Sequence, residues 1–175
     1  MTAYPSHLVS EWQAPDGTRV TIRPIRAEDA DIEVEFVRGL SADAKYLRFM
    51  SALRELTPAM LAQFTRIDYN REMALIAVIR ENDRDVQVGV ARYVADADAA
   101  SCEFAIVVAD RFQGRGLGQH LMLRLIDIAH ERGYTVMTGF ILSRNVRMLA
   151  LAETLGFTTE HQTDDPAVTR VRRAV

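Results

Sequence analysis

Cysteine is almost absent from this chain. Cys102 is the single copy, which rules out an internal disulfide framework and fits a reducing compartment. Long apolar runs are missing too, and nothing approaches the roughly 20 residues needed to span a bilayer. The first residues include His7 and Glu11 and no long apolar core, so no secretory signal is expected and the protein is expected to be cytoplasmic. Charge is nearly balanced at −3, which gives no reason to expect a nucleic-acid partner. His7, His120, His130 and His161 are scattered without metal-ligand spacing, so no metal site is expected. Repeats, low-complexity tracts and linkers are also lacking. What is present is ordinary for a soluble globular chain, with 49% hydrophobic and 26% charged residues. The 175 residues suit a single domain, 1–175, with residues 1–7 as a loose tail. A monomer or small homo-oligomer is expected.

The most informative stretch is Gln113-Gly114-Arg115-Gly116-Leu117-Gly118. An apolar run, Phe104 to Ala109, precedes it and reads as a buried strand. A helical apolar pattern, Leu117 to Ala129, follows. The glycines therefore sit in a strand-to-helix turn, where backbone without Cβ atoms can approach a bulky ligand. The free N–H groups and positive dipole end of the next helix suit a phosphate, and Arg111 and Arg115 add charge nearby. A Walker loop is excluded because Gln119-His120, not Lys-Ser or Lys-Thr, follows Gly118. A Rossmann fingerprint fails as well: counting from Gly114 its third glycine would be Gln119, and from Gly116 it would be Leu121. The pattern is consistent with a pyrophosphate cradle.

Read in order, Leu8–Gln13 and Thr18–Arg23 form an opening hairpin around Pro15-Asp16-Gly17. Helices are expected over 27–40, 41–50 and 57–66, the last with Pro58 in its first turn. Strands follow at 72–80 and 86–94, joined by the polar stretch Glu81–Asp85, and then at 101–109. After the glycine turn come a helix, a strand at 134–142, a helix at 145–155, and a closing pair at 157–163 and 168–174. This order implies an α/β (α+β) fold with a mixed, largely antiparallel sheet and helices on both faces. Strands 101–109 and 134–142, joined by the crossover helix, would be the parallel neighbours.

The hexapeptide Q-x-x-G-x-G resembles the loop with which the GNAT superfamily of N-acetyltransferases binds the pyrophosphate of acetyl-CoA. The resemblance covers nearly the whole chain, down to the Leu155-Gly156-Phe157 helix end. The segments Asp16 to Arg26, Asp68 to Ala74 and Cys102-Glu103-Phe104-Ala105 are similar to the Pat-type protein lysine acetyltransferases. Many Pat-type proteins carry a fused acyl-CoA-synthetase-like or cyclic-nucleotide-binding region, which this sequence lacks.

The resemblance implies acetyl-CoA as co-substrate, a splayed parallel strand pair and an amine acceptor, above all a protein lysine. Glu103 matches the glutamate that Pat-type enzymes use as a base, a role that requires its pKa to be raised by partial burial. Taken on its own, it reads first as an exposed strand-end glutamate facing solvent. By resemblance, backbone groups of Ile106, Val107 and Val108 would pair with the pantetheine arm and polarise the thioester carbonyl. Gln113, Gly114, Arg115, Gly116, Leu117, Gly118 and Gln119 would hold the pyrophosphate. Asn145 would contact the cofactor, although asparagine is also an ordinary helix N-cap. Where many relatives carry a proton-donating tyrosine, this chain has Ala152; Tyr93, Ser143 or water could serve, and no general acid is assigned. Cys102 reads as a small strand residue, and Trp12, Tyr46, Phe49 and Tyr69 as packing residues or a docking surface. Two alternatives stay open: a small-molecule amine acetyltransferase, and a non-catalytic acyl-CoA-binding or sensing module.

Overall fold

The computed structural model describes residues 3–160 and 164–175. The chain opens with β1 (Ser10–Gln13), β2 (Arg19–Pro24), α1 (Ala30–Gly39), α2 (Ala42–Phe49) and α3 (Pro58–Thr65). It continues with β3 (Glu72–Glu81), β4 (Arg84–Ala95), β5 (Ser101–Val108), α4 (Leu117–Glu131) and β6 (Val136–Leu142). It closes with α5 (Val146–Thr154), β7 (Thr158–Glu160) and β8 (Val168–Ala174). The strands form one eight-stranded sheet in the order β1-β2-β3-β4-β5-β6-β8-β7. Every neighbouring pair is antiparallel except β5 with β6.

Alternation along the strands feeds two cores, one on each face of the sheet. On one face, Leu117, Leu121, Leu125 and Ile128 form a stripe along α4 that packs with Cys102, Phe104, Tyr93 and Phe157. On the other, Phe36 and Val37 of α1 pack with Ile76, Val78 and Val90. Gly89 lets α4 come close to the sheet, because a Cβ there would stand only 3.2 Å from the Leu121 side chain. The first turn of α4 is thereby held over β4, beside the end of β5.

Several boundaries differ from expectation for local reasons. The polar stretch 81–85 is mostly strand: Asn82 and Asp83 alone make the turn, at φ of 49° and 61°, residues that tolerate the left-handed region. Asp85, expected in the turn, instead lies in β4 and is bonded to Arg80 of β3 across the hairpin at 2.9 Å. Leu8 belongs to a 3-10 turn, Ser6–Leu8, and β1 starts only at Ser10. The segment expected as a tail is tied down from Tyr4 onward, whose hydroxyl donates to the Pro24 carbonyl at 2.9 Å. The strand expected at 157–163 is observed over Thr158–Glu160, and residues 161–163 lie outside the described residues. No helix among the described residues is long and apolar enough to cross a membrane.

Candidate active site

The site is organised by the way β5 leaves β6. Their pairing runs from Ser101↔Val136 to Phe104↔Gly139 and then stops, although β5 continues to Val108 and β6 to Leu142. At the last paired position the Phe104 ring lies over Gly139, and a Cβ on Gly139 would come within 2.6 Å of ring atom Cζ. A glycine in mid-strand marks such a close approach and is the sequence signal for this place. Beyond it the strands diverge, leaving a gap with one free backbone edge along β5.

The sense of that edge follows from one hydrogen bond. The Ala109 N–H donates to the Val88 carbonyl of β4 at 2.8 Å, so odd-numbered β5 residues direct their backbone groups to β4. Ile106 and Val108 therefore turn theirs to the gap, whereas Val107 turns its own to β4 and packs its side chain on the α1 face. The Val108 carbonyl is capped by Gln113 Nε2 at 3.1 Å. Gly118 stands where the Ile106, Val108 and Leu151 side chains converge, its Cβ position 3.7 to 3.8 Å from each. So Ile106, Val108, the head of α4 and the flank of α5 meet at the gap, and Val107 does not.

At the head of α4, Gly116 serves as N-cap at φ 89° and Gly114 sits at φ 72°. Among the described residues no side chain caps the helix. The first intrahelical bond is His120 N–H to the Gly116 carbonyl at 3.0 Å. Among the described residues, no N–H from Gly114 to Gln119 finds a protein acceptor. Such a run of aligned donors at a positive dipole end is a ready anion site. The two nearby arginines are both ion-paired, Arg111 with Glu81 at 2.5 Å and Arg115 with Asp16 at the tip of the opening hairpin. Trp12 of β1 stacks on His120 at 5.8 Å and flanks Gly116, so the hairpin forms a wall of the cradle. Asn145 is the N-cap of α5 and accepts from the Met148 N–H at 3.2 Å.

Glu103 lies on the opposite face from α4, between Val94 of β4 and Thr138 of β6. It is exposed, and among the described residues its carboxylate has neither a hydrogen bond nor an ion pair. Partial enclosure raises its pKa above the ordinary glutamate value and Asp96 adds to that, while Arg170 and Arg48 oppose it. Val94, Phe140 and Tyr46 expose apolar side chains around it. The possible proton donors are placed less favourably. Ala152 is buried in the α4-face core. Among the described residues the buried Tyr93 hydroxyl has no hydrogen-bond partner, and burial pushes its pKa up. Ser143 Oγ is engaged with the Pro166 carbonyl at 3.0 Å and Thr169 Oγ1 at 2.8 Å. Cys102 is likewise buried, and its thiol is pushed up to about 12, which fits a packing residue.

Sequence reasoning missed a cationic pair on the Glu103 face. Arg92 of β4 is buried with Nη2 donating to the Phe64 carbonyl at 3.0 Å, and Arg48 closes α2 nearby. A charged residue in a short helix or a strand gives no signal of this kind, because only the fold brings α2 over the sheet.

The family model for the acetyltransferase (GNAT) domain matches residues 19–158. An acetyltransferase of Pseudomonas aeruginosa is 38% identical over 150 residues, covering 86% of this chain and 81% of that protein. The acetyltransferase Pat of Mycolicibacterium smegmatis is 29% identical over 145 residues, 82% of this chain but 43% of the longer relative. Among solved structures, the GNAT domain of S. lividans PAT superposes with a TM-score of 0.88 at 26% identity, covering 99% of this chain and all of that one.

Proposed function

The chain belongs to the GNAT acetyltransferase family, and we propose that it transfers the acetyl group of acetyl-CoA to the ε-amine of a protein lysine. The observation that carries this reading is the gap past Phe104 and Gly139, with unsatisfied N–H donors at its head and an unpartnered carboxylate beside its floor. The residues present fit the cofactor. The N–H groups of Gly114 to Gln119 would take the pyrophosphate, with Gln113 holding the turn and Arg115 adding charge. The backbone of Ile106 and Val108 would take the pantetheine arm, and Asn145 would stand at the far lip.

A lysine amine has a pKa of about 10.4, so fewer than about one in a thousand is neutral at pH 7, a penalty of roughly 4 to 5 kcal/mol. Glu103 acts as general base, directly or through one water, and offsets part of that cost. The neutral amine attacks the thioester carbonyl carbon, the C–N bond forms, and the C–S bond breaks. The amine proton passes to Glu103. The departing thiolate is a good leaving group and is protonated by solvent, which accords with a buried Ala152 and an engaged Ser143.

The test uses acetyl-CoA labelled on its acetyl group, a deacetylase-treated cell extract, the wild-type chain and a Glu103→Gln control. Background is simple to read because Lys45 is the only lysine in the chain. Label on extract proteins that disappears with the control is expected. Label confined to small molecules would replace this reading with a metabolite acetyltransferase. Acetyl-CoA binding with no transfer would replace it with a sensing module.

A further inference from the structure

Most arginines on the Glu103 face have an acid. Arg144 bonds Asp43 at 3.1 Å, and Arg170 bonds Glu160 at 3.0 Å. Arg48 and Arg92 do not: among the described residues neither has a carboxylate within ion-pair range, and Arg48 makes no hydrogen bond at all. The two guanidiniums bracket an aromatic pair. Arg92 lies 4.4 Å from the Phe64 ring, Phe64 stacks on Phe49 at 6.2 Å, and Arg48 lies 4.9 Å from Phe49. Cation–π contact supports each charge but does not neutralise it.

The position of Arg48 is fixed by the helix that carries it. Ser41, the N-cap of α2, is gripped by Asp110 just past β5, through its N–H at 3.1 Å and its Oγ at 2.7 Å. Asp43 in the first turn holds Arg144, just past β6. Therefore α2 is tied to both lips of the gap, and its last turn delivers Arg48 to the face where an acceptor must approach Glu103. Burial, and then repulsion from Arg92, lower the Arg48 pKa to about 10, with Glu33 and Glu103 opposing. It remains a cation at neutral pH. Glu33 forms no ion pair with it among the described residues; that carboxyl accepts from Gln87 Nε2 at 2.5 Å, and burial raises its pKa. A half-buried cation with no carboxylate in ion-pair range is costly unless something supplies one.

We propose that Arg48 is a specificity residue that holds a carboxylate carried by the acceptor close to its reacting amine. This rests on the transfer reading above and narrows it: the acceptor is an amine beside an acid, not a simple polycation. The acid can be an Asp or Glu flanking a target lysine, or the α-carboxylate of a free amino acid. Bidentate pairing with a partly desolvated guanidinium is strong enough to discriminate about tenfold or more.

The experiment compares two matched acceptor pairs with acetyl-CoA, reading thiol release. One pair is a lysine peptide with Glu on both sides and the same peptide with Gln; the other is an amino acid and its amide. The wild-type chain is expected to prefer the acidic member of one pair by about tenfold in kcat/KM, and which pair shows it identifies the source of the carboxylate. Arg48→Gln is expected to abolish that preference, mainly through the acceptor KM, with the KM for acetyl-CoA unchanged. Arg48→Lys should restore part of it. Transfer without preference in either pair, or an equal loss on both members in Arg48→Gln, would overturn the inference alone. No transfer to any of the four despite acetyl-CoA binding would overturn the transfer reading and this inference together.

Discussion

At the head of the gap between β5 and β6 the available polar groups are backbone. They are the N–H groups of Gly114 to Gln119, a single run of chain set by two left-handed glycines and the dipole of α4. On the Glu103 face they are side chains drawn from α2, β4, β5 and β8, with Val94, Phe140 and Tyr46 supplying apolar surface. The first region, being backbone, is indifferent to most side-chain changes. The second has no local chain segment in common and is set by how the fold assembles. A cofactor common to a family suits the first kind of site, and an acceptor particular to one member suits the second. Changes at the Glu103 face should therefore alter turnover and acceptor choice, and changes at the cradle should alter cofactor affinity.

The largest break in that comparison comes from Glu103→Gln. It removes the proposed base and keeps the shape, so kcat should fall by about 10² to 10⁴-fold, with the acetyl-CoA dissociation constant unchanged. The pH profile sharpens the point. Enclosure by surrounding protein and then Asp96 raise the Glu103 pKa, while Arg170 and Arg48 oppose. A base works only when deprotonated, so kcat/KM in the wild type should be lost as pH falls through a value above the ordinary glutamate range. That acidic limb should vanish in the variant. A residual limb of unchanged position would assign it to another group.

Next in size is Gly139→Ala, which acts on the boundary between the two regions. A Cβ there would come within 2.6 Å of Phe104 ring atom Cζ, and that ring is itself packed against Phe157 at 5.1 Å. Overpacking of this kind costs about 1–3 kcal/mol, which for a chain of this size is a Tm loss of several degrees, on the order of 2–4 °C per kcal/mol. If the variant melts at the wild-type temperature, the ring is not what fills the place where the strands part.

These two residues were not equally legible. The element order, the parallel pair and the glycine turn before α4 could be read from contiguous cues: apolar period, turn chemistry and the spacing of Gly114, Gly116 and Gly118. Glu103 stood out because it interrupts an apolar strand, and only resemblance gave it a task. Gly139 carried a usable signal, a lone glycine in a strand, that says close approach but not to what. Arg48 and Arg92 carried none, because an arginine in a short polar helix or at a strand position reads as a solvated charge. What stacks them on Phe49 and Phe64 is the landing of α2 and α3 on the sheet, and no local pattern encodes that landing. Val107 illustrates the same limit at finer scale, since strand sequence gives alternation but not which neighbour the odd positions bond.

Within the cradle, Gly116→Ala tests whether backbone geometry matters apart from space. Its φ of 89° disfavours any Cβ, although the nearest obstacle, the Trp12 ring, is a comfortable 3.8 Å away. Forcing alanine into that region costs about 1–2 kcal/mol. The turn should relax and the N–H groups lose their alignment, weakening acetyl-CoA binding by about tenfold while saturating turnover stays close to wild type. Calorimetric titration with acetyl-CoA separates this from Glu103→Gln, whose signature is the reverse.

The smallest effect is expected where the cradle does use a side-chain pair. Arg115 is held by Asp16, a residue on the hairpin turn whose carboxylate also accepts the Thr18 N–H at 3.0 Å. That N–H first, and Arg115 after it, keep the Asp16 pKa below its ordinary value, so it is ionised throughout the neutral range. The carboxylate therefore competes with an incoming phosphate for the same guanidinium. Asp16→Asn keeps the oxygen that the turn needs and removes the competing charge. Both side chains are well exposed, and such pairs are worth little in water. Acetyl-CoA should bind more tightly by no more than a few-fold, the gain should shrink as salt rises, and turnover should not move. Weaker binding would mean that Asp16 positions Arg115 and does not restrain it, which would make the hairpin tip part of the cofactor site.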